Sequence, residues 1–186
     1  MRFPGLTAFA IGALSLALNG ACRADEPERE LISLAPEDAG TEGAADLPPI
    51  VAKACLNAGL AAGSTGHRQC GLELISILRA PRGSDLGPLT PPARLDRGLN
   101  LGAACARYFP AASRREREEG TATLLVYVAP DHRVKEAIRW QSSGSDRLDL
   151  ATASCMYREA RFEPKLVDHA PVGSWQRLKY TWRLRG

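Results

Sequence analysis

Cysteines are the residues of this sequence whose type and spacing most directly indicate chemistry. Cys22 follows an apolar N-terminal segment, and the other four are Cys55, Cys70, Cys105 and Cys155. Four cysteines in an exported chain favour disulfide bonds, and they allow three connectivities. Because Cys55 and Cys70 are close in the sequence, we expect them to pair with each other and to leave Cys105 for Cys155.

His67 and Cys70 offer a second use for a cysteine, because they are spaced like half of a zinc site. A structural zinc site needs four ligands, and no second close pair of cysteine or histidine accompanies these two. We therefore expect disulfides rather than a metal, and no other cofactor.

Catalytic groups are sparse in the sequence. His67, His132 and His169 have no nucleophile nearby in the chain, and the last two follow aspartates in predicted turns. Ser142-Ser143-Gly144 lacks the strand-to-helix turn of a serine hydrolase, because the next helix is predicted to begin only near Asp146. We therefore expect a protein that is not an enzyme.

The first 24 residues predict an export signal. Arg2 supplies the positive charge, residues 6–18 are mainly apolar, and Cys22-Arg23-Ala24 offers small residues for cleavage. One alternative is lipid attachment to Cys22, as in bacterial lipoproteins, although Asn19 stands where such signals usually have leucine. Another is a retained membrane anchor, but the apolar run is shorter than the ~20 residues that span a bilayer.

Composition divides the middle of the chain into three segments. Residues 25–49 are acidic and lack apolar periodicity, so we expect a disordered leader. Residues 50–80 hold an alanine-rich run typical of a short helix and a second apolar run that fits either a strand or a helix. Closed by a disulfide, they predict a small annex. Residues 81–104 are rich in proline and glycine and predict a linker, and the net charge of +3 is too small to indicate nucleic acid as a partner.

Residues 105–186 predict a folded domain. Strands are expected over residues 121–128 and 133–141, and a helix from Asp146 that ends before Pro164. Residues 111–119 suit a short, charged surface helix. The final strand alternates most regularly, with Gln176, Leu178, Tyr180, Trp182 and Leu184 on one face and Arg177, Lys179, Thr181, Arg183 and Arg185 on the other. We expect the first face to pack on the core and the second, largely cationic face to lie in water.

Five short motifs occur in order along this domain. They are Tyr108 with Pro110, Glu119-Gly120-Thr121-Ala122, the turn ending in Asp131, Ser142-Ser143-Gly144 with Leu148-Asp149 and Ala151, and Arg161-Phe162-Glu163-Pro164 before the final strand. Together they resemble the C-terminal domain of the TonB family over residues 105–186. The pattern departs at Phe109, which interrupts the usual Tyr-Pro pair, and at His132, where the turn usually has glycine. The resemblance implies an α+β fold, with two helices packed on a three-stranded antiparallel sheet, located in the periplasm.

The resemblance also implies a function. Such domains bind outer-membrane TonB-dependent transporters in energy-coupled transport, and the exposed edge of the sheet suits the addition of an extended segment as a further β-strand. The expected partner-binding residues are Trp175, Arg177, Lys179, Thr181, Arg183 and Arg185. Their charge favours an acidic segment, although such cations can also serve only to keep an edge soluble. The alternative function is an exported accessory or structural envelope protein that uses this domain for protein interaction without energy transduction.

Overall fold

The computed structural model describes residues 31–34, 36–40, 46–80, 94–96 and 98–184, and every structural statement below concerns these residues. The predicted export signal, part of the leader, much of the predicted linker and Arg185 lie outside them. Within the described ranges, no helix is long and apolar enough to cross a membrane.

The centre of the fold is a four-stranded sheet. Its strands are β1 (Ile32–Ser33), β2 (Gly120–Val128), β3 (Val134–Gln141) and, after a small hairpin of β4 (Lys165–Val167) and β5 (Ala170–Val172), β6 (Ser174–Trp182). The order across the sheet is β1-β3-β2-β6. β2 is antiparallel to both β3 and β6, whereas β1 is parallel to β3. β2 is therefore central, in agreement with its apolar residues on both faces.

Helices cover both faces of the sheet. Those of the described residues are α1 (Pro49–Asn57), α2 (Thr65–Arg79), α3 (Leu101–Cys105), α4 (Ala111–Arg115) and α5 (Asp146–Glu159). On one face, α3 and α5 pack on a hydrophobic cluster that contains Phe162 and Trp182. On the other face, α1 and α2 pack on a cluster that contains Leu74 and Trp175. The sheet thus lies between two helical layers.

The predicted disordered leader is the segment in which the structure differs most from the sequence prediction. The three expected antiparallel strands are present as β2, β3 and β6, but Ile32 and Ser33 add a fourth, parallel strand. Ile32, Leu34 and Ala39 are buried, so packing against the core orders this part of the expected disordered segment. A two-residue strand is too short to produce a period-two pattern, and the sequence therefore gave no sign of it.

Residues 50–80, expected as a small annex, form the helical layer over the second face of the sheet. Ser64 begins α2 as a cap, because its Oγ accepts the N–H of His67 at 3.1 Å. The second apolar run, whose length fitted a strand or a helix, is part of α2. The buried residues of α2 lie at the spacing of one helix face and are His67, Cys70, Gly71, Leu74, Ile77 and Leu78. This layer, rather than water, covers the start of β6.

The turns of two hairpins use left-handed backbone without glycine. His132 has a φ of 67° between β2 and β3, at the position where the resemblance predicts glycine. Asp168 and His169, with φ of 48° and 66°, form the two-residue turn between β4 and β5. Positive φ at both positions is the requirement of a type I′ hairpin turn.

Both expected disulfides are present. Cys55–Cys70 joins α1 to α2 with a Cα–Cα distance of 6.0 Å, and Cys105–Cys155 joins α3 to α5 at 5.5 Å. Because Cys70 is bonded to Cys55, it does not serve as a zinc ligand beside His67. The Nε2 atom of that histidine instead lies 3.3 Å from a backbone carbonyl oxygen of α1.

We expect loss of the first disulfide to be costly. Cys55→Ala combined with Cys70→Ala should lower the free energy of unfolding by about 3 kcal/mol, as the chain-entropy model gives for a separation of 15 residues. Urea unfolding of the double variant and the wild type measures this difference.

Both disulfides should also be detectable chemically. In the denatured, unreduced wild type, thiol titration should find no free thiol among Cys55, Cys70, Cys105 and Cys155. Two or more reactive thiols among these four would contradict the pairing.

Candidate functional site

The two outer edges of the sheet differ in what covers them. The outer edge of β3 is paired with β1 at Ile138 and Arg139. The outer edge of β6 has no strand from the described part of the chain beside it. An uncovered edge presents N–H and C=O groups with which an extended chain can pair. β6 is therefore the edge on which a partner strand can add.

One hydrogen bond shows which backbone groups of β6 point outward. Trp175 donates its N–H to Oε2 of Glu73 on α2 at 3.2 Å, so this N–H points away from β2. β2 and β6 pair without a register shift, and residues two apart in such a strand point their backbone groups the same way. The N–H and C=O groups of Arg177, Lys179 and Thr181 therefore point away from β2, to the side of β6 that no described strand covers.

The predicted partner-binding residues have different surroundings. Those that are exposed or partly exposed are Arg177, Lys179, Thr181 and Arg183. Trp175 is fully buried under α2, and its indole Nε1 donates to the carbonyl oxygen of Cys70 at 3.2 Å. Its side chain is thus part of the core, because α2 covers it. Arg185 lies outside the described residues.

A groove of about 630 Å³ lies beside the C-terminal half of β6. Three aromatic side chains line it, with ring centroids 5.2 Å apart for Phe109 and Trp182 and 4.8 Å apart for Tyr180 and Trp182. Arg114 and Arg183 also line it, and the guanidinium carbon of Arg114 is 5.4 Å from the ring centroid of Phe109. Aromatic rings beside guanidinium groups can accept an apolar side chain that is followed or preceded by a carboxylate.

Residues 106–184 match the family model described as Gram-negative bacterial TonB protein C-terminal. This segment is a TonB C-terminal domain. The match covers less than half of the 186 residues and begins after α1 and α2, so it assigns this segment alone. No curated protein matches the chain. The family is not enzymatic, and a domain of this type suggests a part in transport at the cell envelope.

Within the TonB C-terminal domain, α5 holds the groove in place. The indole Nε1 of Trp182 donates to Oγ1 of Thr152 at 2.8 Å, and Thr152 donates its hydroxyl to the carbonyl oxygen of Leu148 at 2.7 Å. On the opposite side, the Cys105–Cys155 disulfide ties α3 to the same helix. Both walls are therefore anchored to α5, and a partner would meet a groove that is already formed.

The Ser-Ser-Gly motif of the TonB C-terminal domain shapes a turn. The buried carboxylate of Asp149 accepts the hydroxyl of Ser142 at 2.6 Å, and the hydroxyl and N–H of Ser143 at 2.6 and 2.8 Å. These bonds fix the chain between β3 and α5. Gly120 passes the turn so closely that a Cβ atom there would collide with the carbonyl oxygen of Ser143.

Sequence reasoning did not identify Phe109 and Arg114 as groove residues, and it assigned Tyr180 and Trp182 only to the core face. Phe109 stood only as an interruption between Tyr108 and Pro110, and Arg114 only as part of a charged surface helix. Both lie more than sixty positions before Trp182, and no local pattern relates residues so far apart. The one available signal was the aromatic character of Phe109 beside the Tyr-Pro motif.

Arg147 links the loop after α4 to the start of α5 in the TonB C-terminal domain. Its guanidinium group contacts Glu116 and donates to Oε1 of Glu118 at 2.6 Å. Glu118 also accepts the hydroxyl of Ser145 at 2.9 Å. The hydrogen bond from Arg147, with smaller contributions from neighbouring hydroxyls, lowers the pKa of Glu118 from 4.5 to about 2.

We expect this pair to contribute to acid sensitivity. A carboxyl group whose folded pKa lies below its unfolded pKa stabilises the native state above the unfolded value and loses that stabilisation as the pH falls. For Glu118 this loss takes place between pH 4.5, the ordinary pKa of the group, and about pH 2, its pKa in the folded protein. Over this window the free energy of unfolding should fall less steeply in Glu118→Gln than in the wild type, as measured by urea unfolding at each pH. Arg147→Gln should reduce the slope of the free energy of unfolding over the same pH range. Unchanged slopes in both variants would contradict the role of this ion pair.

Proposed function

We propose that the protein binds an extended, acidic segment of an outer-membrane transporter in the periplasm, by β-strand addition to β6, as part of energy-coupled transport. The observation that carries the proposal is the pair of outward backbone positions Lys179 and Thr181, on an edge that no described strand covers. Backbone pairing of this kind supplies affinity, while neighbouring side chains select the sequence.

The charges along the edge support an acidic segment. Lys179 and Arg183 are exposed, and Arg114 lies in the adjoining groove. Exposed charges attract a partner over the screening length of roughly 8 Å at physiological ionic strength. The binding constant should therefore fall as salt is added, and it should fall less for a peptide whose acids are replaced by amides.

The groove supports an apolar side chain in the bound segment. Tyr180 and Trp182 lie on the face of β6 that packs towards α5. A strand added outside β6 continues this face, because side chains of neighbouring strands align across a sheet. The side chain that it places beside Trp182 therefore falls on the aromatic wall of the groove.

The proposal is tested with the isotope-labelled mature protein and synthetic peptides from the periplasmic N-terminal extensions of outer-membrane TonB-dependent transporters. We expect the largest amide shifts at residues 177–183. In a series of peptides that each carry one N-methyl group, the affinity should alternate between weak and unchanged along the sequence. The reason is that only every second backbone N–H of an added strand points towards β6. A peptide of the same composition in scrambled order is the control.

Two results would contradict strand addition to β6. One is a set of shifts confined to residues 55–78, which would make the outer surface of α1 and α2 the binding site. The other is equal binding by every N-methylated peptide, which would mean that side chains alone hold the segment.

A further inference from the structure

Glu73 stands at the beginning of the uncovered edge. It lies on α2, outside the segment that matches the TonB C-terminal domain. Its Oε2 accepts the outward N–H of Trp175 at 3.2 Å, and its Oε1 is buried without a hydrogen-bond partner among the described residues. A carboxylate oxygen therefore occupies the place that the carbonyl oxygen of an added strand would take opposite Trp175.

The position of Glu73 is fixed by its surroundings. Cys70, one helical turn earlier, is tied to α1 by a disulfide and accepts the indole N–H of Trp175 at 3.2 Å. Leu74, the next residue, is fully buried between α2 and the sheet. Trp175 thus makes two hydrogen bonds to α2, one from its backbone and one from its ring. These contacts hold the backbone of α2 at Glu73 beside Trp175.

We propose that Glu73 ends the binding edge at Trp175 and thereby fixes the register and the length of the segment that β6 accepts. This inference rests on the proposed strand addition. The accepted segment pairs with Lys179 and Thr181 and stops before Trp175, because the outward N–H of Trp175 is already bonded. A carbonyl group brought up to Trp175 would also meet the carboxylate of Glu73, and the two oxygens repel each other. The α1–α2 layer thus shortens the edge of β6 that a TonB C-terminal domain alone would offer to an added strand.

The test uses nested peptides and two variants of Glu73. The short peptide is long enough to pair with residues 177–183. Two longer peptides extend it by two residues, one at the N-terminus and one at the C-terminus. Whether the added strand is parallel or antiparallel to β6, one of the two longer peptides reaches Trp175. For the wild type we expect equal affinity for the short peptide and for the one that reaches Trp175. In Glu73→Ala the N–H of Trp175 becomes available, and that longer peptide should bind about fivefold more tightly, the effect of one added hydrogen bond. Glu73→Gln retains an acceptor oxygen and should behave like the wild type.

A measurement on the wild type alone guards against a variant that does not fold. Hydrogen exchange should find the amide of Trp175 protected already in the free protein and unchanged by the peptide, while the amides of Lys179 and Thr181 gain protection. A gain in affinity on reaching Trp175 in the wild type, or equal behaviour of Glu73→Ala and Glu73→Gln, would overturn the inference. If no peptide protects or shifts any amide of β6, it is the proposed function that fails.

Discussion

Replacing Thr181 with proline is expected to weaken binding of an extended acidic peptide by on the order of a hundredfold. The N–H of Thr181 points to the uncovered edge, so proline removes a donor that an added strand needs and puts its ring in the donor's place. An acceptor of the peptide left unpaired costs about 1–3 kcal/mol, and 1.4 kcal/mol is a factor of ten in affinity. Isothermal titration of the variant and the wild type with the same peptide measures the effect.

Thr181→Ala is the matched control for this substitution. It removes only the contact between the hydroxyls of Thr181 and Thr121, which are 2.9 Å apart and exposed, and it keeps the backbone N–H. Its affinity should stay within about twofold of the wild type, since exposed substitutions are worth roughly ±0.5 kcal/mol. The fold of the proline variant is checked by its urea midpoint, because the lost N–H bonds to nothing inside the sheet. Wild-type affinity in a folded proline variant would show that binding does not use this edge.

Elements with a local signal could be predicted from the sequence. The alternation of β6 and the start of a helix at Asp146 each depend on neighbouring residues, and β6 and α5 are found over Ser174–Trp182 and Asp146–Glu159. The disulfides also followed from local information, since the proximity of Cys55 to Cys70 left one partner each for Cys105 and Cys155. The TonB C-terminal domain was recognisable for the same reason, because short motifs in a fixed order identify a domain without showing what else packs on it.

The second helical layer could not be predicted in this way. A period-two pattern shows which residues share a face of a strand, but not what covers that face. Trp175 shares its face with Lys179 and Thr181, yet it is buried under α2 while the other two are exposed. The difference depends on where α2 ends over the sheet, which is a tertiary property. The alternation also left open which backbone groups of β6 point to the edge, and that direction follows from the hydrogen bond between Trp175 and Glu73.

Leu74→Ala is expected to lower the free energy of unfolding of the whole protein by about 2–5 kcal/mol, the usual range for truncating a buried leucine. Leu74 is fully buried in the cluster that joins α1 and α2 to Leu125, Ile138 and Trp175 of the sheet. If α1, α2 and the sheet unfold as one unit, the loss of stability must also be seen on the face of the sheet that α3 and α5 cover. The indole N–H signal of Trp182, which lies in the other cluster, therefore serves as the reporter.

Leu72→Ala is the matched control, on the same helix two residues away and with 60% of its surface exposed. It should change the free energy of unfolding by less than roughly 0.5 kcal/mol. In Leu74→Ala, the Trp182 signal should be lost at the same, lower urea concentration as the helical signal in circular dichroism, because a single cooperative unit gives coincident transitions. Deleting residues 46–80 should then leave no cooperative transition, since it uncovers the apolar face of the sheet to water. If Trp182 instead kept its wild-type midpoint while the helical signal fell early, α1 and α2 would be an independent annex and the two-layer core would be wrong.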